Sequence, residues 1–395
     1  MMEKFEREVA ITGIGMSDVG RRLMRDPLEL AIDACLEAIE DAGLTRDDID
    51  GLSTYPGPMP GAGGISGGGI VDVEDVLRIH PKWFNSGLEL AGQTGSVMTA
   101  ALAVAAGMCR HVLCFRCVWE STHQTLQRSG KLGGDRPSRV GGDMQWRMPF
   151  GAASAANWIA MLASRHFEEY GTKREHLGAI ALNGRRNAAV TPYAIYKDPL
   201  TMDDYLSARM ITSPFGLYDC DIPCDGAVAV VVSHIDVARD LKHAPVRFEA
   251  VGGQITERPS WDQGDLTHEP LLEGASKALW SRTDLKPSDV DVAEIYDGFS
   301  FNCLCWLEKL GFCAEGEGGA FLEGGKRIAR DGELPLNTNG GQLSAGRLHG
   351  YGFLHEAVVQ LRGDGGERQV AGNPQVALVA TGGGAPGGCM LLTRA

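Results

Sequence analysis

Short apolar runs alternate along the chain with longer stretches in which apolar residues recur every three or four positions. The first run, 9–14, is followed by apolar residues at helical spacing from Leu28 to Ile39. Asp26 and Pro27 precede this stretch, so we predict a helix that Asp26 caps and that Gly43 ends. The same signals predict further helices at 95–108 and 156–170 and further strands at 112–115 and 227–232. Apolar strands that alternate with helices predict a largely parallel sheet covered on both faces.

An internal repeat divides the chain. Residues 44–55 align without gaps with residues 285–296, and a predicted helix precedes each copy. The repeat predicts a duplicated α/β unit, with halves 1–245 and 246–395 and an inserted loop region at about 116–210 in the first half. Active sites of such sheets lie where loops from the carboxyl ends of strands meet. Both halves are therefore expected to contribute loops to the site.

The composition narrows the classes of function. The 395 residues are 44% hydrophobic and 22% charged, values typical of globular proteins with a sizeable core. Aspartate and glutamate outnumber lysine and arginine by 51 to 37, and the net charge of −14 argues against a protein that binds nucleic acid. No apolar run approaches the ~18 residues of a membrane span. The charged N-terminus lacks the apolar segment of a secretory signal, so we expect a cytoplasmic protein.

The ten cysteines are expected to be reduced, and they predict no metal site. Cys114 and Cys117 have the spacing of a zinc-binding pair, but they lie in a predicted buried strand and no second pair completes a ligand set. Cys220 and Cys224 flank Asp221, and we interpret this segment as small residues packed in a turn.

Four motifs occur in a fixed order over nearly the whole chain. They are 204–211 with its continuation to Ala227, 292–300, 337–352 and 382–384. In this order they resemble the thiolase superfamily, specifically its sterol-carrier and lipid-transfer branch. The resemblance implies an α/β thiolase fold, in which duplicated βαβαβαββ halves form a five-layered αβαβα arrangement.

The groups that a thiolase uses for acyl transfer are absent. The position of the nucleophilic cysteine, which needs a helix N-terminus to stabilise its thiolate, falls on Gly92. The two histidine positions fall on Tyr296 and Arg347, and the position of the second cysteine falls on Ala380. Acyl transfer through a cysteine is therefore not expected.

Two tyrosines lie in the motifs that would form the pocket. This pattern resembles the steroid side-chain-cleaving aldolases of the lipid-transfer type. It implies retro-aldol cleavage of a β-hydroxyacyl-CoA, such as a steroid side-chain thioester, to a ketone and a shorter acyl-CoA such as propionyl-CoA. Tyr296 and Tyr351 would be the base and the acid, in either order, with Arg347 or His349 as the tuning charge. No cofactor is expected, because the thioester accepts the electron pair. The predicted pocket and oxyanion residues are Gly92, Asn337, Asn339, Arg347, His349, Gly382 and Gly383, with Gly384 beside them.

The same resemblance implies partners. Thiolase-fold proteins form homodimers in which central strands pair, and residues 112–118 lie in the matching region. The aldolases also work with a small zinc-ribbon and OB-fold protein that helps to complete the CoA site. Two alternatives stay open: a non-catalytic lipid-binding or scaffold subunit, and an acyl-CoA acyltransferase that uses an unexpected cysteine.

Overall fold

The computed structural model describes residues 4–57, 64–87, 92–132, 144–254, 270–383 and 387–395. Its strands are β1 Val9–Met16, β2 Gly51–Thr54, β3 Trp83–Ser86, β4 His111–Trp119, β5 Met210–Thr212, β6 Phe215–Gly216, β7 Asp225–His234, β8 Val246–Gly252, β9 Val292–Ile295, β10 Val376–Thr381 and β11 Gly388–Arg394. Its helices are α1 Pro27–Ala42, α2 Ile70–Leu77, α3 Gly95–Ala105, α4 Glu120–Arg128, α5 Met144–Arg147, α6 Ala155–Tyr170, α7 Arg174–Ala188, α8 Met202–Ser207, α9 Ile235–Ala238, α10 Pro270–Trp280, α11 Ser300–Lys309, α12 Gly318–Leu322, α13 Gly341–Ser344 and α14 Tyr351–Arg362.

Local sequence signals position the first helix as predicted. The Asp26 carboxylate accepts a hydrogen bond from the Leu28 amide at 2.8 Å, and Pro27 occupies the first helical position. Gly43 follows the last turn in the left-handed conformation, which glycine adopts without strain. The structure also confirms the predicted helices at α3 and α6 and the predicted strands at β4 and β7.

The main sheet is mixed, so the prediction of a largely parallel sheet is wrong. Its strand order is β3-β2-β4-β7-β1-β8-β11-β10-β9. The pairs β2–β3, β2–β4 and β9–β10 are parallel, whereas β4–β7, β1–β7, β1–β8, β8–β11 and β10–β11 are antiparallel. The central antiparallel strands are covered on both faces. They therefore show the same continuous apolar runs as parallel strands, and the pattern does not reveal strand direction.

The two copies of the repeat have the same local structure. A 3₁₀ turn precedes a four-residue strand in both copies, at 46–54 and at 287–295. A glycine lets a helix approach a strand in each half. A Cβ atom at Gly15 would overlap the Ala34 carbonyl of α1, and one at Gly252 would overlap the Ala275 carbonyl of α10.

Equivalent aspartates link the strands in the two halves. The Asp50 carboxylate accepts hydrogen bonds from the Arg110 and His111 amides at 2.8 and 2.9 Å, which holds the start of β4 against β2. The Asp291 carboxylate accepts a bond from the Val376 amide at 3.0 Å, at the start of β10. These acids therefore hold neighbouring strands in place.

Strand β4 cannot pair with a second copy of the chain, contrary to the prediction for 112–118. Strand β2 pairs with one side of β4 and β7 with the other, so its backbone groups are used within the sheet. In the described part of the chain, the edge strands of the main sheet are β3 and β9. Among the described helices, none combines the length and the apolar character that crossing a membrane requires.

Candidate active site

Loops from the C-terminal half meet at the ends of β9 and β10. The Tyr296 amide donates a hydrogen bond to the Ala380 carbonyl at 2.9 Å, so the loop after β9 begins beside the end of β10. The Asn337 side chain accepts from the Ile295 amide at 2.7 Å and donates to the Ile295 carbonyl at 2.9 Å. The Asp297 carboxylate accepts from the Gln342 amide at 2.8 Å. Three of the four predicted motifs are thereby brought together.

The start of α3 in the N-terminal half lies against this cluster. The hydroxyls of Thr94 and Thr381 are 3.0 Å apart. Gly92 has a positive φ of 70°, and a Cβ atom there would lie 2.6 Å from the Thr381 carbonyl oxygen. A Cβ atom at Gly350 would lie 2.8 Å from Thr381 Cγ2. Gly92 therefore lies in the predicted site, but the backbone leaves no room for a side chain.

Tyr296 lies under its own loop and near an arginine. Its side chain is 4% exposed, and a Cβ atom at Gly298 would overlap its hydroxyl. Burial lowers the pKa of Arg347, but Asp221, Glu120 and to a lesser degree Tyr296 raise it above the usual range. Tyr296 and Arg347 are therefore close enough to interact electrostatically.

Arg347 pairs with two carboxylates. Its Nη1 lies 3.0 Å from Asp221 Oδ1, and its Nη2 donates to Glu120. Both carboxylate side chains are 7% exposed. Burial raises the pKa of Asp221 to about 7, and the Glu120 charge also raises it while Arg347 lowers it. A single guanidinium thus faces two carboxylates, which leaves one of them readily protonated.

His349 is neutral in this arrangement. Its Nδ1 lies 2.6 Å from Nη2 of Arg116, a buried residue of β4, so the ring accepts a hydrogen bond there. Burial lowers the pKa of His349 well below its ordinary value, and Arg116 and Arg347 lower it further. Arg347 and His349 are the two groups predicted to supply the charge that tunes a tyrosine. Because His349 is neutral, Arg347 is the one that carries the positive charge.

Tyr351 is the first residue of α14, not part of a loop as the sequence predicts. It is fully buried, and its hydroxyl lies 2.6 Å from Oγ of Ser96 in α3. Burial raises the pKa of Tyr351 well above its ordinary value. The hydrogen bond joins the first turns of two helices, one from each half. A proton-transfer role for Tyr351 stays a prediction, and these contacts support a structural role.

The side chains of the two asparagines predicted as oxyanion donors are engaged within the protein. Asn339 accepts from the Gly341 amide at 2.8 Å and donates to the Tyr193 hydroxyl at 3.2 Å, and Asn337 is bonded to β9. The Gly382 carbonyl accepts from Trp306 Nε1 at 2.6 Å, and Gly383 packs against Asn302. Gly384 lies outside the described residues.

Two buried donors, one in α13 and one in the loop that follows it, have no hydrogen-bond partner among the described residues. They are Nε2 of Gln342 and Nε of Arg347. The Gln342 side chain is held by its own oxygen, which accepts from the His349 amide at 3.2 Å, and the residue is 2% exposed. A buried donor without a partner costs about 1–3 kcal/mol, so such a group fits the binding of a ligand oxygen.

A cavity of about 570 Å³ opens beside Asp221. This volume is in the range of pockets that bind small organic molecules. Its lining includes Leu343, Tyr218, Tyr196 and Arg185. The Arg185 guanidinium lies 5.4 and 5.6 Å from the centres of the Tyr196 and Tyr218 rings. The cavity thus combines aromatic surface with a carboxylate at the predicted catalytic loops.

The cysteines near this site are poor nucleophiles. Cys220 lines the cavity, and burial together with Asp221 and Asp219 raises its thiol pKa to about 12. Burial raises the pKa of Cys224, which lies near Gly346, well above its ordinary value. Because the thiolate is the nucleophile, these values argue against the acyltransferase alternative.

The site predicted from the sequence lacks four residues: Asp221, Glu120, Arg116 and Gln342. The interpretations of Asp221 as part of a packed turn and of Arg116 as part of a buried strand miss their contacts with the 347–349 loop. One signal was present: three aspartates surround two cysteines in 219–225, a density of charge that is unusual in a packed turn.

The comparisons with known proteins agree with this geometry. Residues 252–388 match the family model described as Thiolase C-terminal domain-like. A steroid side-chain-cleaving aldolase from Thermomonospora curvata is 35% identical over 363 residues, which cover 90% of each chain. A 17-hydroxy-3-oxo-4-pregnene-20-carboxyl-CoA lyase from Mycobacterium tuberculosis is 34% identical, over 98% of this chain and 99% of that one. The solved Ltp2-ChsH2(DUF35) aldolase has a TM-score of 0.86 and 34% identity, over 98% of each chain.

The fold and the site thus define a thiolase-fold protein that lacks the thiolase cysteines. The chain belongs to the thiolase superfamily, in the branch that includes the steroid side-chain-cleaving aldolases. The predicted family and the predicted thiolase fold are therefore confirmed.

Proposed function

We propose that the protein is a carbon–carbon lyase that cleaves a steroid side-chain β-hydroxyacyl-CoA by a retro-aldol reaction. The products are a ketone and a shorter acyl-CoA such as propionyl-CoA. The names of relatives that match over at least nine-tenths of the chain support this class of reaction. The observation that carries the proposal is the replacement of the thiolase nucleophile by Gly92, where a Cβ atom would lie 2.6 Å from a backbone oxygen.

The reaction replaces the proton of the β-hydroxyl by a proton on Cα and breaks one carbon–carbon bond. A base takes the proton of the β-hydroxyl, the Cα–Cβ bond breaks, and the β-carbon leaves as a ketone. The electron pair of that bond becomes a thioester enolate, and an acid then protonates Cα. Because the thioester itself accepts the electrons, this chemistry needs no metal or organic cofactor.

Tyr296 and its neighbours suit the acid part of the reaction. A phenol with an ordinary pKa near 10 is protonated at neutral pH. Arg347 lies within electrostatic range of it and would stabilise the phenolate that forms after proton transfer. The buried donor Gln342 Nε2 would stabilise the enolate oxygen, with the Gly382 and Gly383 backbone as a further proposed part of the oxyanion site.

A product assay tests this proposal. The purified protein is incubated with a steroid β-hydroxyacyl-CoA, and ketone and shorter acyl-CoA are quantified by mass spectrometry. We expect equimolar products, and a loss of about 10²–10³ in kcat for Gln342→Leu, as is typical when one oxyanion donor is removed. Binding without any product, with the partner described below present, would favour the lipid-binding alternative and contradict the proposal.

We propose two kinds of assembly. The first is a complex with a small zinc-ribbon and OB-fold protein, which the similarity to the Ltp2-ChsH2(DUF35) aldolase supports. The second is a homodimer that pairs through β3, an edge strand whose Phe84 side chain is 66% exposed. Light scattering and co-purification test the two, and a monomer that binds no such protein would contradict both. With CoA thioesters as substrates, we place the protein in the cytoplasm.

A further inference from the structure

Asp221 and the Tyr296 hydroxyl lie at the same glycine. The Asp221 amide donates a hydrogen bond to the Gly298 carbonyl at 3.0 Å, and the Tyr296 hydroxyl lies against the Gly298 Cα. Arg347 interacts with both residues. The backbone of Asp221 and the side chain of Tyr296 thus contact the same glycine, and both residues interact with one cation, although they are 75 positions apart in the chain.

Asp221 is also placed to meet a ligand. Of the two carboxylates that pair with Arg347, Asp221 is the one that lines the 570 Å³ cavity. Asp297, the next carboxylate of this region, is fully enclosed and accepts hydrogen bonds from the backbone of its neighbouring loop. The retro-aldol reaction needs two proton-transfer groups, and the Tyr351 hydroxyl is committed to Ser96.

We propose that Asp221 is the base that takes the β-hydroxyl proton and that Tyr296 is the acid that protonates Cα. This assignment rests on the proposed function. Asp221 binds the hydroxyl proton while the O–H electrons form the ketone C=O bond and the Cα–Cβ pair enters the enolate. Tyr296 gives its proton to Cα, and the phenolate stays beside Arg347. Transfer of the proton from the Asp221 carboxyl to the Tyr296 oxygen then restores both groups.

The environment of Asp221 suits a base at neutral pH. A general base is most effective when its pKa lies near the working pH. Burial and Glu120 raise the pKa of Asp221 to about 7, while Arg347 lowers it. Among the described residues, Asp297, Cys220 and Cys224 are further titratable groups that interact with it. Because the base must be ionised, kcat is expected to rise with pH through an apparent pKa near 7.

Paired substitutions of two aspartates test this assignment. Asp240 is exposed, lies outside the lining of this cavity and has no contact with Arg347 among the described interactions. We expect Asp221→Asn to lower kcat by about 10²–10⁴, the usual contribution of a general base, and Asp240→Asn to stay within twofold of the wild type. The slow residual reaction of Asp221→Asn is expected to lose the rise through pH 7. Asp221→Glu, which keeps a carboxylate, is expected to recover part of the rate.

The outcomes separate this assignment from the proposed function. If the wild type cleaves the thioester and folded Asp221→Asn cleaves it at a similar rate, Asp221 is not the base and the lyase proposal stands. If the wild type cleaves nothing, the proposed function itself fails. Should Asp221→Asn not fold, a wild-type kcat that is constant between pH 5.5 and 8.5 would still overturn the assignment.

Discussion

The Tyr351 hydroxyl lies 2.6 Å from the Ser96 Oγ atom and joins the start of α14 in the C-terminal half to α3 in the N-terminal half. Both residues are buried, so neither hydroxyl can exchange this partner for bulk water. The contact ties together the two helices whose first turns border the candidate active site.

Tyr351→Phe is therefore expected to affect stability more than catalysis. The substitution leaves the buried Ser96 hydroxyl without its partner, which costs about 1–3 kcal/mol in the free energy of unfolding. Ser96→Ala should cost less when combined with Tyr351→Phe than alone, because the pair is then already broken. Chemical denaturation and turnover of the same preparations check this. Loss of turnover at unchanged stability would instead make Tyr351 a proton-transfer group.

Arg347→Gln is expected to shift the pH dependence of turnover. Arg347 lowers the pKa of Asp221, which otherwise rises through burial and Glu120. Without the guanidinium this pKa rises above 7, so the carboxylate stays protonated to higher pH. The ascending part of the kcat profile should move to higher pH in Arg347→Gln and remain near its wild-type position in Arg347→Lys. Equal midpoints in all three proteins would contradict the proposed coupling.

Alanine substitutions at two glycines distinguish the free energy lost through a left-handed backbone conformation from the free energy lost through steric crowding. Gly92 and Gly107 have φ angles of 70° and 73°, but a Cβ atom at Gly107 meets nothing within 4 Å. We expect Gly107→Ala to cost about 1–2 kcal/mol through the left-handed conformation. Gly92→Ala should cost about 1–3 kcal/mol more, because its Cβ atom crowds the Thr381 carbonyl. Equal losses in thermal unfolding would show that the site has room for a side chain at Gly92.

Glu294 makes stability depend on pH. Burial and the nearby Glu356 raise its pKa well above the ordinary value. Its Oε1 accepts from the Thr338 hydroxyl at 2.7 Å, whereas its Oε2 has no partner among the described residues. A carboxyl whose pKa is raised on folding loses stability as pH rises above its unfolded pKa.

The neutral Glu294→Gln should therefore melt at a higher temperature than the wild type at pH 8, with a difference that shrinks towards pH 5. Glu356→Gln is the contrasting control. It weakens the ion pair with Arg368 at 3.0 Å and should be destabilising. A melting-temperature difference for Glu294→Gln that does not change with pH would contradict this account.

Local chemistry explains which parts of the fold could be predicted. The bounds of α1 follow from Asp26, Pro27 and Gly43, which act within one turn of the helix ends. Strand direction depends instead on contacts between distant segments. The apolar runs of β1 and β7 are the same whether the strands run parallel or antiparallel, so the sheet was predicted with the wrong direction.

The residues of the candidate site also fall into two groups, those that a motif along the chain predicts and those that only tertiary contacts reveal. Tyr296 and Arg347 were identified because family motifs mark their positions along the chain, and the structure places them within electrostatic range. Asp221 and Glu120 became site residues only through tertiary contact with Arg347, from segments 126 and 227 positions away. Tyr351 shows the converse, since a family motif marks its position along the chain but its hydroxyl is hydrogen-bonded to Ser96 of α3.

The rate of ketone formation by Tyr296→Phe tests the central claim most directly. The variant, the wild type and the control Tyr170→Phe, at a half-buried tyrosine at the end of α6, are compared at saturating β-hydroxyacyl-CoA, with thermal unfolding measured for each. The account predicts that Tyr296→Phe loses about 10²–10⁴ in kcat while Tyr170→Phe does not change. Ketone release by folded Tyr296→Phe at the wild-type rate would contradict it.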